Sequence, residues 1–475
     1  MGEMILAIDQ GTTGTTSLVV DDGLQLRGRA YRELPQHFPR PGWVEHDPED
    51  IWATVLGAAE EAVSAARIRP VDLRAIGITN QRETTVVWDR STGRPLAPAI
   101  VWQDRRTADR CRGLPPDLIR ARTGLVPDPY FSATKLEWLL ARTERPAAEL
   151  AFGTVDSWLA WKLTGGRVHV TDRTNASRTM LLNLDSLEWD EDLLSLFGVD
   201  AAVLPRVVGS AEPVGEGELL GAAVPIGGIA GDQQAALAGH GCFERGEAKA
   251  TYGTGSFVLV HAGAERERAP EGLLETAAAP SGYALEGAIL ASGAAVQWLR
   301  DGLGVLASAS ESEALARQVE SSGGVCFVPA LAGLGSPHWR PDARGLITGI
   351  TRGTTRAHLV RAALEAIAFQ VADVLELFPS PIEVLRADGG ASTNAFLMQF
   401  QADVLGCRVE VAAEQETTAL GAAILAGRAI GVWPDDEAVA SRIRRGAVYE
   451  ASPRAAELDG LRDGWRKAVR RALLP

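Results

Sequence analysis

Residues 4–20 read MILAIDQGTTGTTSLVV, and residues 248–260 read AKATYGTGSFVLV. In each, a short apolar run ends in a turn of glycine and hydroxyl residues, and a second β-rich run follows at once. Met4–Ile8 leads into Asp9-Gln10-Gly11-Thr12-Thr13-Gly14 and then Ser17–Val20. Lys249–Tyr252 leads into Gly253-Thr254-Gly255-Ser256 and then Phe257–Val260. The pattern is strand, tight turn, strand, written twice. Glycine lets backbone N–H groups come close to an anion, and threonine and serine add hydroxyl donors. Two such hairpins facing one another would hold the phosphates of a nucleotide in a cleft between two domains.

Working outward, Leu24–Arg32 reads as a third strand, joined to the second by the hairpin turn Asp21-Asp22-Gly23. Asp47 suits a helix N-cap, Pro48 the first helical position, and Glu49 and Asp50 the positive end of the helix dipole. Ile51, Trp52, Val55, Leu56, Ala59 and Val63 then form one apolar stripe. Ala75–Thr79 and Thr84–Trp88 read as strands around the polar turn Asn80-Gln81-Arg82-Glu83. In the second half, Tyr283–Leu290 reads as a strand and Val296–Leu303 and Ala357–Leu377 as helices. Glu383–Ala387 is a strand ending in Asp388-Gly389-Gly390-Ala391-Ser392, with a helix from about Asn394. Strand, glycine turn, helix is a common phosphate or nucleoside contact. Arg408–Ala412 and the helix Thr418–Ala426 complete the series. The glycine-rich stretch Gly209–Gly228 reads as a surface loop near the boundary between the halves. Alternating elements of this kind predict an α/β protein of two related domains.

A chain of 475 residues, 46% apolar and 23% charged, is too long for one core. Its net charge of −14 disfavours nucleic acid or an anionic membrane as the main partner. Lysine occurs only at Lys135, Lys162, Lys249 and Lys467, so arginine carries most positive charge. Cys111, Cys242, Cys326 and Cys407 are widely separated, without zinc-site spacing, as expected of free thiols in a reducing cytoplasm. No signal peptide or membrane span is expected. The P-loop, the G-x-G-x-x-G dinucleotide fingerprint, the protein-kinase signatures and the G-x-S-x-G elbow are missing from the sequence.

Several residue sets carry chemistry. Asp9, at the end of a strand beside the first turn, suits Mg²⁺ or its waters; it equally suits turn capping. Gly231-Asp232-Gln233-Gln234 sets an acid and two amides ahead of an alanine-rich helix. Asp232 there is either an N-cap or a base that accepts a hydroxyl proton. Arg82 and Glu83 form either a solvated surface pair or a polyol clamp, the arginine donating to hydroxyl oxygens and the carboxylate accepting from hydroxyl hydrogens. Pro129-Tyr130-Phe131 offers an aromatic wall with a phenolic handle, and Trp102 and Phe257 offer apolar surface for a carbon skeleton. Arg105, Arg106, Asp109 and Arg110 read as a solvated helix face.

Taken together, Asp9–Thr13, GWVEHDPEDIWAT (42–54), NQRETT (80–85), PYFSATK (129–135), GIAGDQQAAL (228–237), YGTGSF (252–257), FVPALAGLGSPHW (327–339) and DGGASTNAFLMQFQAD (388–403) resemble the FGGY carbohydrate kinases. The similarity runs across nearly the whole chain. It implies two actin-like, ribonuclease H-like domains flanking a nucleotide and substrate cleft. Residues 1–241 would carry the glycerol and phosphate contacts and 242–475 the nucleotide site. The implied activity is ATP-dependent phosphorylation of glycerol to sn-glycerol 3-phosphate, the first step of glycerol catabolism, with ATP and Mg²⁺ as cofactors. By matching motif, Arg82, Glu83, Tyr130, Asp232 and Gln233 would bind glycerol's hydroxyls, and Trp102 and Phe257 would pack on its carbon chain. Asp232 would be the general base, and Asp9 and Asp232 would lie near Mg²⁺. Thr12, Thr13, Gly14 and Thr16 would line the phosphate turn, and Thr254, Gly293, Gln297, Gly390 and Asn394 the nucleotide site. Family analogy adds a homo-oligomer, dimer or tetramer, in the cytoplasm.

The chain departs from the family pattern Asp-Gln-Gly-Thr-Thr/Ser-Ser-x-Arg, with Gly14 at the serine and Thr16 at the arginine. A charge-assisted bond to phosphate is worth about 1.5–3 kcal/mol. That equals about one to two decades in rate if it forms only in the transition state. The expectation is weaker activity, or compensation by another arginine. At Gly221–Pro225, Ala222 and Ala223 also replace basic residues that some bacterial relatives carry, so effector regulation through that loop is not expected. Two rival readings remain at this stage: a kinase for another polyol or sugar, and an actin-like or chaperone-type ATPase.

Overall fold

The first hairpin forms where its sequence places it, and both strands run longer than the apolar residues alone indicate. In the computed structural model, which describes residues 2–453 and 455–474, β1 (Met4–Gln10) pairs antiparallel with β2 (Gly14–Val20), and β2 with β3 (Leu26–Glu33). The Asp21 carboxylate accepts from Gly23 N and Gln25 N at 3.0 and 2.9 Å and closes the turn. α1 (Pro48–Ala65) starts at Asp47, whose carboxylate accepts from Glu49 N at 2.8 Å, and buries Ile51, Val55, Ala59 and Val63. It leads to β4 (Leu73–Asn80), parallel to β1.

Gly209–Gly228 is not a surface loop. It enters the same sheet as β5 (Gly215–Leu219) and β6 (Ala222–Gly231), giving the order β5-β6-β4-β1-β2-β3 with β6 parallel to β4. Its glycines serve close packing: a Cβ on Gly227 or Gly228 would meet the Ala426 backbone at 2.8 or 2.6 Å.

The second half repeats the plan. β7 (Ala248–Tyr252), β8 (Ser256–Gly263), β9 (Leu274–Ala277), β10 (Tyr283–Ile289), β11 (Val384–Asp388), β12 (Arg408–Ala412) and β13 (Arg445–Tyr449) form one sheet in the order β9-β10-β8-β7-β11-β12-β13. As in the first sheet, an antiparallel unit, here of four strands rather than three, continues into two parallel strands. Among the helices, those that position the site are α2 (Asp232–Gly239), α3 (Gly293–Asp301), α4 (Arg356–Leu375), α5 (Ala395–Leu405) and α6 (Thr417–Ala429). Parallel strands need crossovers, which α1, α4 and α5 supply. The sheets have separate cores, one around Leu6, Ile76 and Ile226, the other around Val258, Leu385 and Ile367. Chain between β4 and β5 builds a third core around Phe131, Leu136, Phe152 and Phe197.

Two helices join the halves. α6, from the second half, packs on the first sheet through Ala422, Ala423 and Leu425 against Ile5, Ala7 and Ala75. α2, from the first half, sends Leu237 against Leu259 and Ala284 of the second sheet. They cross in backbone contact, because a Cβ on Gly239 would overlap the Thr417 carbonyl and one on Gly421 the Ala235 carbonyl. Among the described residues, no helix is long and apolar enough to cross a membrane, and no group of three or more His, Cys, Asp and Glu is arranged to hold a metal. The four cysteines are free, and three are buried.

Candidate active site

Arg82 and Glu83 follow the end of β4, where Gln81 N donates to Gln10 O at 2.7 Å. They are not a solvated pair: both are buried, and their charged groups lie 3.8 Å apart at the nearest. Each turns instead to a distant partner. Arg82 donates from both Nη atoms to Glu286 on β10, at 2.6 and 2.9 Å. Glu83, held at φ +61° in the left-handed region, accepts from Arg178 Nε at 2.6 Å. Arg178 Nη2 lies 3.2 Å from Glu286 Oε1, closing a buried square of two arginines and two glutamates across both halves.

The rim of this square is polar and aromatic. Arg82 Nη2 donates to the Tyr130 hydroxyl at 3.4 Å, a long bond, and Arg82 Nε lies 3.1 Å from Asp232 Oδ1. Trp102 meets Tyr130 edge-on with ring centroids 5.5 Å apart, and donates from Nε1 to Thr12 Oγ1 at 2.8 Å. Burial pushes Glu286 up, but Arg178 and Arg82 outweigh it and hold its carboxyl at about 2. Burial keeps Glu83 above its ordinary value despite Arg178 and Arg82. Burial and then Glu83 raise the Tyr130 phenol, so it stays a donor. Lys135, on the helix Ser132–Leu140, is buried and donates to the Pro129 and Tyr130 carbonyls at 3.2 and 2.7 Å, which fixes the aromatic turn.

Asp232 is the first residue of α2, with Gly231 at the cap position. Its Oδ1 accepts from Gln233 N at 2.7 Å, and its side chain is 31% exposed, open to a substrate. Gln233 faces Lys249, whose buried ammonium donates to Gln233 Oε1 at 2.5 Å and Thr251 Oγ1 at 2.9 Å. Asp9, the next-to-last residue of β1, makes no ion pair among the described residues. Burial, then Asp232 and Glu416, push its carboxyl well above the usual range. Asp9, which has no cationic partner among the described residues, and Asp232, whose Oδ1 lies beside Arg82, offer carboxylate oxygens that suit a hard divalent ion, which takes oxygen ligands and completes its shell with phosphate and water.

The remaining expected residues fall into two groups. Thr12, Thr13 and Gly14 form the first turn, and Thr16 is buried on β2 opposite Asp9 on β1 and Tyr31 on β3. The three arginines of β3 are engaged elsewhere, Arg27 with Asp21, Arg29 with Glu416 and Arg32 with Glu61. In the second turn, the Thr254 carbonyl accepts from Ser292 N and Ala294 N at 2.9 and 3.0 Å, and Gly253 O from Gly293 N at 2.9 Å. This docks the turn on the start of α3, where Gln297 is exposed. Gly389, at φ +84°, approaches the Tyr252 backbone so closely that a Cβ would meet it at 2.7–2.8 Å, which brings exposed Gly390 beside the second turn. Asn394 caps α5, accepting from Leu397 N at 3.0 Å. Phe257, half-buried on β8, packs with Leu237, Leu259 and Ala284, and Leu259 on the same face lies directly across from Glu286.

Sequence reasoning missed Arg178, Glu286, Lys135 and Lys249 as members of the site. A signal existed for the lysines, since two of only four are fully buried. Arg106 also departs from the solvated face expected of it. It is buried, paired with Asp104 and Glu45 and stacked 3.7 Å over Trp43.

Comparison with known proteins agrees with this geometry. Residues 4–239 match the N-terminal domain and 248–430 the C-terminal domain of the FGGY family of carbohydrate kinases. The chain is 51% identical to the glycerol kinase of Paracidovorax citrulli, over 99% of both chains. It is 52% identical to that of Deinococcus radiodurans, over 99% of this chain and 97% of the relative. The crystal structure of Plasmodium falciparum glycerol kinase with ADP superposes with a TM-score of 0.93 at 35% identity, covering 100% of this chain and 99% of that one. A xylulose kinase from Lactobacillus acidophilus, 23% identical with a TM-score of 0.89 over 99% of this chain and 98% of that one, shares the fold. By domain match, by identity over its whole length and by structure, the chain belongs to the FGGY family of carbohydrate kinases.

Proposed function

We propose that the chain transfers the γ-phosphoryl group of ATP to a terminal hydroxyl of glycerol, giving sn-glycerol 3-phosphate. The observation that carries this reading is the buried square of Arg82, Glu83, Arg178 and Glu286 with Tyr130 and Asp232 on its rim. It offers fixed donors and acceptors beside an aromatic wall. The glycerol kinase relatives and the ADP-bound structure of the Plasmodium enzyme support the same substrates.

In the proposed mechanism Arg82, Glu83 and Tyr130 orient glycerol, with Gln233 assisting. Asp232 accepts the proton of the attacking hydroxyl, whose oxygen adds in line to the γ-phosphorus as the bond to ADP breaks. Arg82 Nε, 3.1 Å from Asp232 Oδ1, holds this carboxylate in place at the rim of the square. Catalysis is chiefly positioning and electrostatics. Asp9 and Asp232 would hold Mg²⁺, which neutralises charge on the phosphates when bound. Thr12, Thr13, Gly14 and Thr16 would face the phosphates, and Thr254, Gly293, Gln297, Gly390 and Asn394 the rest of the nucleotide. Residues 1–241 and 242–475 act as the two closing domains, with α2 and α6 as their joint. A homo-oligomer in the cytoplasm completes the proposal, and sedimentation tests its size.

A coupled assay of ADP production tests the reading. Turnover should require glycerol and exceed that with xylulose or other polyols. Hydrolysis independent of any polyol, or a preference for another sugar, overturns it.

A further inference from the structure

The first turn is held by two side chains from outside it, Tyr31 and Gln36. Tyr31 Oη donates to the Thr13 carbonyl at 3.0 Å, and Leu34 N donates to the same oxygen at 2.9 Å. Gln36 Nε2 donates to the Thr12 carbonyl at 2.9 Å. A trans peptide is planar, so its C=O and the following N–H point in opposite directions. Pinning the Thr12 carbonyl therefore aims the Thr13 N–H away from Gln36. Pinning the Thr13 carbonyl aims the Gly14 N–H away from Tyr31. Gly14 is bound into the same device. A Cβ there would meet Tyr31 Oη at 2.5 Å, its Cζ at 2.6 Å and the Arg32 carbonyl at 2.5 Å, so any side chain at position 14 evicts the phenol.

We infer that Tyr31 and Gln36 are positioning residues for phosphate recognition: they lock the peptide planes of the Thr12–Gly14 turn so that its N–H groups face the nucleotide's phosphates. The inference rests on the proposal that this turn receives ATP. Tyr31 is 46% exposed and sits across from Thr16, in the cross-strand row that ends at Asp9. With threonine at position 16, this turn recognises phosphate through oriented amides and hydroxyls. Preset amides need no reorganisation when the anion arrives.

The test is Tyr31→Phe, which removes one hydroxyl and leaves the ring over Gly14. Calorimetric titration should show ADP binding weakened about three- to tenfold, the size of one ordinary hydrogen bond. Adenosine binding should be unchanged, because adenosine lacks phosphates, and so should KM for glycerol. Gln36→Leu should act in the same direction. Unchanged ADP affinity in both variants overturns the inference. So does an equal loss for ADP and adenosine, which would mark a general structural role. Both titrations are independent of turnover. A wild-type protein that binds ADP but shows no glycerol-dependent ADP production would defeat the functional proposal without touching this one.

Discussion

Replacing Glu286 by glutamine should disturb stability and glycerol recognition together. Its carboxylate accepts from both Arg82 Nη atoms, lies 3.2 Å from Arg178 Nη2, and all three side chains are buried. The amide keeps one acceptor oxygen but turns an NH₂ group toward guanidinium donors. The two arginines are then left with Glu83 and the partly exposed Asp232. Breaking a buried ion pair from one side costs about 3–5 kcal/mol, against a total of about 5–15 kcal/mol for a folded domain. Scanning calorimetry should find a transition lowered by roughly 6–20 °C. Freed from Glu286, the Arg82 guanidinium loses its fixed orientation, and KM for glycerol should rise at least about tenfold, or about 1.4 kcal/mol. ADP affinity should hold, since the second turn and α3 do not touch this pair. A transition within about 1 °C of wild type with an unchanged glycerol KM would refute the view that this carboxylate orients Arg82.

Asp232→Asn should lower kcat about a hundred- to ten-thousandfold while ADP binding persists; near-normal turnover in the coupled assay removes its assignment as base. Thr16→Arg should raise kcat/KM for ATP by about one to two decades if the γ-phosphate lacks a charged partner here, and unchanged kinetics would show that the turn is already sufficient. Asp156, buried and then repelled by Asp172, has its carboxyl pushed up to about 7. The folded chain therefore keeps a proton that the unfolded chain has lost between about pH 4 and 7. Its contribution to stability is full below about pH 4 and disappears as pH rises through 7. Between pH 5.5 and 8.5 the melting temperature of wild type should fall more than that of Asp156→Asn, and parallel profiles would contradict this.

Local pattern made much of the fold legible. The two hairpins, the Asp47-Pro48 helix start, the strand before Gly389 and the helix after Asn394 are written in neighbouring residues, and each forms within a few positions of where the sequence puts it. Arg82, Glu83, Tyr130 and Asp232 stood out because their motifs are short and contiguous. The stretch Gly209–Gly228 misled because glycine serves loops and close packing alike, and only the arrival of α6 decides between them. Arg106 misled because it lies in a turn before the helix that begins at Ala108, where Asp104 and the distant Glu45 together neutralise its charge.

What the sequence determined alone was the repeated strand–turn–strand plan and the identity of the groups able to do chemistry, since both depend on residues a few places apart. Tertiary structure decided their state: which charges are buried, which partner each faces, and how the halves meet. Arg82 and Glu286 are separated by 204 positions, and Glu83 and Arg178 by 95. No local period encodes such a pair, because its energy exists only when folding brings both ends together out of water.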